Sequence, residues 1–221
     1  MRRFIAIADG FSVALAVALA VVLLFRLAIC VPRLDPLAVL LGLTLGFFVA
    51  DVASGLVQWL CDTYFDPRTP LLGTVFIAPF REHHVDPGAL ARHGFLERNG
   101  NNCLVSVPLL LIGISRLEPD AVTQPADVVA AGLFVAASLT LCVTNQIHAW
   151  AHGANTPKPI RVLQRAGILI TPERHARHHR GDRAYAVVSG WSNALLDRVL
   201  ARTEVLLAAF GAKPSGSGAQ A

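Results

Sequence analysis

Long apolar runs decide what this chain can become. Phe11–Ile29 is broken only by Ser12 and Arg26, and Leu37–Leu60, Leu104–Leu117 and Val128–His148 supply three more. A helix needs roughly 20 residues to cross the hydrocarbon core of a bilayer, and inside lipid its backbone groups must bond to one another. The runs predict an all-α membrane protein with about four transmembrane helices. Charged residues make up 15% of the 221, against about 25% in soluble domains, and the mean hydropathy is +0.53. The Leu104–Leu117 run is short, which suits a tilted, re-entrant or bundle-packed segment.

Met1-Arg2-Arg3 ahead of an apolar stretch resembles a signal peptide. The stretch is long for one, and no small-x-small cleavage site follows. Leu27–Cys30 resembles a lipoprotein box, but Ile29 is too large for the position before the cysteine. Residues 1–33 therefore read as a signal-anchor helix, 34–210 as the main domain and 211–221 as a disordered Gly/Ser/Ala tail.

Basic residues give the orientation. With the N-terminus inside, sixteen of the 19 Lys and Arg fall on the inner side, leaving Arg26, Arg33 and Arg116 outside. That asymmetry places both termini in the cytoplasm. It also accounts for the net charge of +4 without nucleic acid as a partner, since no basic helix is interleaved with aromatics. Cys30, Cys61, Cys103 and Cys142 are far apart and form neither a disulfide framework nor a zinc knuckle.

This drawing makes no use of the histidines, yet it puts all eight on the cytoplasmic side. His175, His178 and His179 form an HxxHH, and on a helix residues three and four apart share a face. Thr171 as N-cap and Pro172 in the first turn would start that helix. His148 and His152 stand four apart where the fourth span ends, with Asn145 crowded beside them. Hydrogen-bonded interface histidines are the plain alternative there, and without an internal Glu the pair is no zinc-protease motif. His83, His84 and His93 lie in the loop between Cys61 and Cys103. A loop that long is expected to hold short interfacial helices. Glu82 and Asp86 are either partners that orient imidazoles or solvated loop charges.

Asp51, Gly55, Gln58 and Asp62 form a polar stripe at helical spacing along the second span. A carboxylate inside a span is expected to face the bundle interior. Pro159–Ile170 reads as an amphipathic helix, with Ile160, Leu163, Ile168 and Leu169 opposite Arg161, Gln164 and Arg165. Three histidine clusters on one side predict a His-rich helical cap on the cytoplasmic face, holding a di-metal site. Eight imidazoles exceed the four ligands that close a structural zinc site. Imidazole also suits iron, so two iron ions working with O2 are the expected cofactors.

An ordered set of motifs runs through 51–204: Asp51–Gly55 (DVASG), Trp59 with Asp62 and Thr63, Pro79–Pro87 (PFREHHVDP), Arg92-His93, Asn99–Asn102 (NGNN), Thr144–His148 (TNQIH), Trp150–His152 (WAH), Leu163-Gln164, the HxxHH, and Ser189–Trp191 with Asn193. In this order they resemble the plasmanylethanolamine desaturase family. Its lipid desaturase domain is shared with plastid desaturases that act on phosphatidylglycerol acyl chains. The resemblance implies a di-iron, O2-dependent oxidoreductase acting on a membrane phospholipid, most simply by turning an alkyl ether into a vinyl ether. Electrons would come from a small carrier such as cytochrome b5 or a ferredoxin-like protein. The implied metal ligands are His83, His84, His93, His148, His152, His175, His178 and His179. Asp51, Asp62, Glu82, Asp86 and Asn145 would stand behind them as orienting partners.

Two departures stand out. Gln58 occupies the place before Trp59 where the family carries His, and Tyr185-Ala186-Val187 replaces Tyr-Cys-Ile. Gln58 leaves open an amide-oxygen ligand weaker than imidazole, altered chemistry or an inactive relative. An acyl-lipid desaturase or hydroxylase of the same fold is the alternative. Pro79–Asp86 and Arg92–Asn102 resemble the plasmanyl branch, while His148–Gly153 and His178–Arg180 resemble the plastid one.

Overall fold

The computed structural model describes residues 2–30, 35–70, 72–118, 124–153 and 155–215. Arg33, and residues 216–221 of the expected tail, lie outside the described residues. Ten α-helices are described: α1 (Arg2–Cys30), α2 (Pro36–Thr63), α3 (Ala78–Val85), α4 (Ala89–Arg92), α5 (Phe95–Arg116), α6 (Pro125–Cys142), α7 (Thr144–Ala151), α8 (Lys158–Arg165), α9 (Pro172–His179) and α10 (Asn193–Ala209). A π-helical turn, Gly73–Ile77, leads directly into α3. The described residues contain no strand.

Among the described residues, three helices are long and apolar enough to cross a membrane: Arg3–Cys30, Pro36–Thr63 and Pro125–Cys142. The expected third span falls within α5, whose first turns carry Glu97, Arg98, Asn99, Asn101 and Asn102. Those residues take α5 out of the membrane-length apolar group. The expected fourth span breaks at Val143, so His148 sits on the separate short helix α7 rather than at the end of α6.

The chain divides into two compact units. The first comprises residues 1–50 and 94–145. In it α5 packs along both α1 and α6, around Leu23, Cys30, Leu110, Leu117, Ala131 and Val135. Small residues set the approach of α2 to α6: a Cβ on Gly42 would lie 2.5 Å from the Val129 carbonyl oxygen, and one on Gly46 2.2 Å from that of Leu133. Close backbone contact of this kind replaces the hydrophobic drive that lipid removes. Ser106 and Ser138 donate to carbonyls one turn back, at Asn102 and Phe134, so their hydroxyls need no partner outside their own helices. Phe4, Ile7, Phe11, Val21 and Leu40 point outward, as they would against acyl chains.

The second unit comprises residues 51–93 and 146–221. Its core is Trp59, Tyr185, Ala186, Leu196 and Leu200. The Trp59 indole N–H donates to Glu204 at 2.9 Å. The 61–103 loop does hold short helices, α3 and α4. The amphipathic helix expected over 159–170 stops at Arg165, because Gly167 turns the chain at φ +71°. Leu169 and Ile170 are buried beyond its end, whereas Val162 and Ile168 are exposed. Gln164, expected on the polar face, is buried. Of the expected tail, Ser215 is tied down: its N–H donates to the Thr63 carbonyl at 2.7 Å, and its hydroxyl donates to that of Tyr64 at 2.7 Å.

Candidate metal centre

The second unit contains every histidine, and seven of the eight converge. Each arrives on or just past a short helix with a stated reason for its placement. In α9, Thr171 caps the first turn by accepting from the Arg174 N–H at 3.3 Å. The HxxHH spacing then turns His175, His178 and His179 toward one another. His148 lies in α7 and His152 in the turn just past its end, its N–H reaching back to the His148 carbonyl at 3.2 Å, and α3 brings His83 and His84.

Two sets of ligand atoms result. In the first, the Nε2 atoms of His148, His152 and His175 form a closed triangle with sides of 2.9, 3.2 and 3.2 Å, and His179 Nε2 lies 3.1 Å from His175 Nε2. In the second, His84 Nε2, His178 Nε2 and Asp62 Oδ2 form another, with sides of 3.0, 3.2 and 3.3 Å. The Gln58 amide joins it, 2.7 Å from His178 Nε2. His83 falls within 4.8 Å of the ligand atoms of His148, His152, His175 and His179, and of those of His84 and His178.

The triangles are what a shared cation would require. Two nitrogens at about 2.1 Å from one ion, at right angles to each other, stand about 3.0 Å apart. Hydrogen bonds among the rings account for them poorly, because a neutral imidazole has one N–H and cannot aim it at two neighbours. One case is explicit. His178 Nδ1 lies 2.8 Å from the Arg183 carbonyl, which can only accept. The proton is therefore on Nδ1, and Nε2 turns a lone pair toward the cluster. Among the described residues, four buried side-chain atoms have no hydrogen-bond partner: Gln58 Oε1, Asp62 Oδ1, His83 Nε2 and His175 Nδ1. Three of them belong to residues with another atom already facing the cluster, and the fourth belongs to His83, the residue common to both groups. Unsatisfied buried polar atoms are rare and call for an explanation; an ion would satisfy His83 Nε2, whereas His175 Nδ1 lies across its ring from the Nε2 that faces the other histidines.

Five of the rings are also held neutral by their surroundings. Burial first, and the crowding of neighbouring imidazoles second, push His83, His148 and His175 well below the ordinary value of 6.5. The same causes bring His152 down to about 4 and His179 to about 3. Neutral rings present lone pairs at any physiological pH.

Several expected residues do other work. His93 lies at the C-terminal end of α4, half-buried, and is not in either converging set. Asp51 spends its carboxylate on a turn: Oδ1 accepts from the N–H groups of Ser189 and Gly190 at 2.7 and 3.0 Å, and Oδ2 from the Ser192 N–H and hydroxyl at 2.9 and 2.7 Å. Asp86 pairs with Arg92, and Glu82 is exposed. Asn145 donates to the Arg98 carbonyl at 2.9 Å. Asp62 faces the same Nε2 atoms that face the cluster, whereas an orienting carboxylate would take the remote nitrogen.

Sequence reasoning assigned no role to Gln164. Its amide donates to the carbonyls of Ile170, at 3.0 Å, and Trp150, at 3.4 Å. It thereby ties the residue before the α9 cap to the stretch between His148 and His152. A buried Gln in the Leu163-Gln164 motif was the available signal.

Membrane-length apolar helices and a convergent polyhistidine cluster thus occur in one chain. The chain belongs to the lipid desaturase family, whose domain matches residues 47–216. It is similar to the plasmanylethanolamine desaturase of Myxococcus xanthus, at 37% identity over 185 residues, covering 83% of this chain and 64% of that protein. It is similar also to plasmanylethanolamine desaturase 1 of Mus musculus, at 36% over 171 residues, covering 72% and 60%. With the chloroplastic fatty acid desaturase 4 of Arabidopsis thaliana it shares 34% over 155 residues, covering 68% and 45%. The chain thus spans less than two thirds of the length of these relatives. No solved structure matches it.

Proposed function

We propose that this protein is a di-iron, O2-dependent lipid desaturase that converts the alkyl ether of an ether phospholipid into a vinyl ether. The observation that carries the reading is the pair of ligand-atom triangles within a lipid desaturase chain. His148, His152, His175 and His179 would hold one ion, and His84, His178, Asp62 and Gln58 the other, with His83 between the sets. When bound, the irons would supply the activation of O2 needed to remove hydrogen from an unactivated carbon. Two hydrogens leave adjacent carbons of the chain. With two electrons from a carrier and two protons, O2 ends as two waters. The carrier, a cytochrome b5 or ferredoxin-like protein, and the phospholipid substrate belong to the same proposal.

The protein's part is positional. Arg183 fixes the His178 tautomer through its carbonyl. Burial of Gln58, His148 and His175 keeps bulk water from the reacting atoms. His93 remains an eighth ligand in the family reading. The proposed topology places both termini and the histidine helices in the cytoplasm, with α5 as a fourth span.

The test is lipid mass spectrometry of a host supplied with alkyl-ether phospholipid, with and without the protein. Loss of two hydrogens with acid-labile vinyl ether is expected. Unsaturation confined to acyl chains moves the substrate to the plastid-like alternative, an oxygenated lipid marks a hydroxylase, and unchanged lipids with electron carrier present overturn the reading.

A further inference from the structure

Gln58 and Asp62 lie one helical turn apart on α2, and both are buried. Each turns one polar atom to the His84/His178 set and leaves a second without a partner. Whichever way the Gln58 amide is turned, one of its polar atoms lies 2.7 Å from His178 Nε2. Amide oxygen and nitrogen are interchangeable assignments at this level. An oxygen in that place completes a set of two imidazoles, a carboxylate and an amide. The first set contains only imidazoles: His148, His152, His175 and His179, with His83 in reach.

We propose that the two metal positions of this chain are unequal and fill in order, with Gln58 and Asp62 as oxygen ligands of the weaker one. The inference rests on the metal-centre reading above and adds to it what this chain's own substitution does. Imidazole nitrogen is the preferred donor for divalent iron, whereas carboxylate and carbonyl oxygen suit manganese and magnesium. A neutral amide oxygen is a weaker donor to iron than the imidazole it replaces. The all-imidazole position therefore takes the first ion, and the mixed position takes the second with at least tenfold lower affinity. The mixed position is also the one that admits Mn2+ in competition with Fe2+.

The experiment is an anaerobic Fe2+ titration of the metal-stripped full chain in detergent, against a competing chelator. Metal content after desalting is measured by elemental analysis, for the wild type, Gln58→His and Gln58→Leu. The wild type should bind two ions in two steps at least tenfold apart, and retain one through desalting. Gln58→His should bring the second step up to within a few-fold of the first. Gln58→Leu should bind one ion at the unaltered first affinity. Excess Mn2+ should displace only the second wild-type equivalent. Two wild-type steps of equal affinity, or a Gln58→Leu protein that holds two ions as the wild type does, overturn this inference and leave the metal centre standing. No iron bound by any of the three proteins overturns the metal-centre reading itself.

Discussion

Replacing Asp51 with alanine should cost the second unit about 3 kcal/mol of stability. The side chain is completely buried and accepts four hydrogen bonds, three from backbone N–H groups and one from the Ser192 hydroxyl. The hydroxyl can rotate to another partner, but the three N–H groups cannot. A buried donor left unsatisfied costs about 1–3 kcal/mol. Some water will enter the space the carboxylate leaves, so the low end applies, about 3 kcal/mol in all. Asp51→Asn keeps one accepting oxygen and the shape, and should cost about half that. For a domain of this size, 1 kcal/mol shifts the melting temperature by about 2–4 °C. Asp51→Ala should therefore melt about 6–12 °C below the wild type. The assay is thermal unfolding followed by tryptophan fluorescence in one detergent, with chelator present to remove any contribution from bound metal. The loss should reach the metal site too. Val188 accepts from the Ile170 N–H at 2.9 Å, and Ser189 from the Arg174 guanidinium at 3.3 Å, so the 188–192 turn carries the start of α9. Melting within 2 °C of the wild type, or an Asp51→Asn protein less stable than Asp51→Ala, would refute the reasoning.

Gln164→Leu keeps most of the volume but leaves the buried Ile170 carbonyl without its donor; about 1–3 kcal/mol of stability and a measurable share of bound iron should go, and unchanged iron content would count against the clamp. Acid should weaken the metal-free protein. His83, His148 and His175 have folded values below 6.5, so as the pH falls below 6.5 the unfolded chain takes up protons that the folded chain refuses. Stability is unaffected above pH 6.5 and declines below it by about 1.4 kcal/mol per unit for each such ring, which melting curves between pH 7.5 and 5 will detect; a flat profile contradicts the burial. Iron should reverse the trend near neutrality, adding about 2.7 kcal/mol at a free concentration one hundred times its dissociation constant, and a melting point indifferent to chelator would exclude a bound ion in the purified protein. His148→Ala should abolish the first binding step and all lipid product while the protein stays folded; retained product would remove His148 from the ligand set.

The membrane character and the histidine convergence were legible because both follow from local rules. Apolar length marks a span, and three- or four-residue spacing sets a helix face. The limits were equally physical. The boundary at Val143 escaped notice because hydropathy continues across it, through Ile147 and Ala149, while the backbone does not. Gln164 looked like the polar face of an amphipathic helix because periodicity assumes that the helix continues past Gly167. His93 has the right chemistry and neighbouring motif, yet no spacing rule relates a residue at the end of α4 to one on α9.

Asp51 and Asp62 show most clearly what the pattern alone hides. They lie eleven residues apart on one polar stripe of α2, and the same argument, a carboxylate in an apolar helix facing inward, applies to both. Their partners differ entirely. Asp51 meets only N–H and hydroxyl donors fixed by the 189–192 turn, and that environment makes it a structural anchor. Asp62 meets the Nε2 atoms of His84 and His178 and keeps one oxygen unpaired. An acceptor facing lone pairs, as at His178, has no stable hydrogen-bonding arrangement without a proton or a cation between them. A cation shared with both rings, as proposed, would satisfy them and the carboxylate together. A pattern of residue types identifies inward-facing carboxylates, but the donors that meet them decide whether one holds the backbone or a metal.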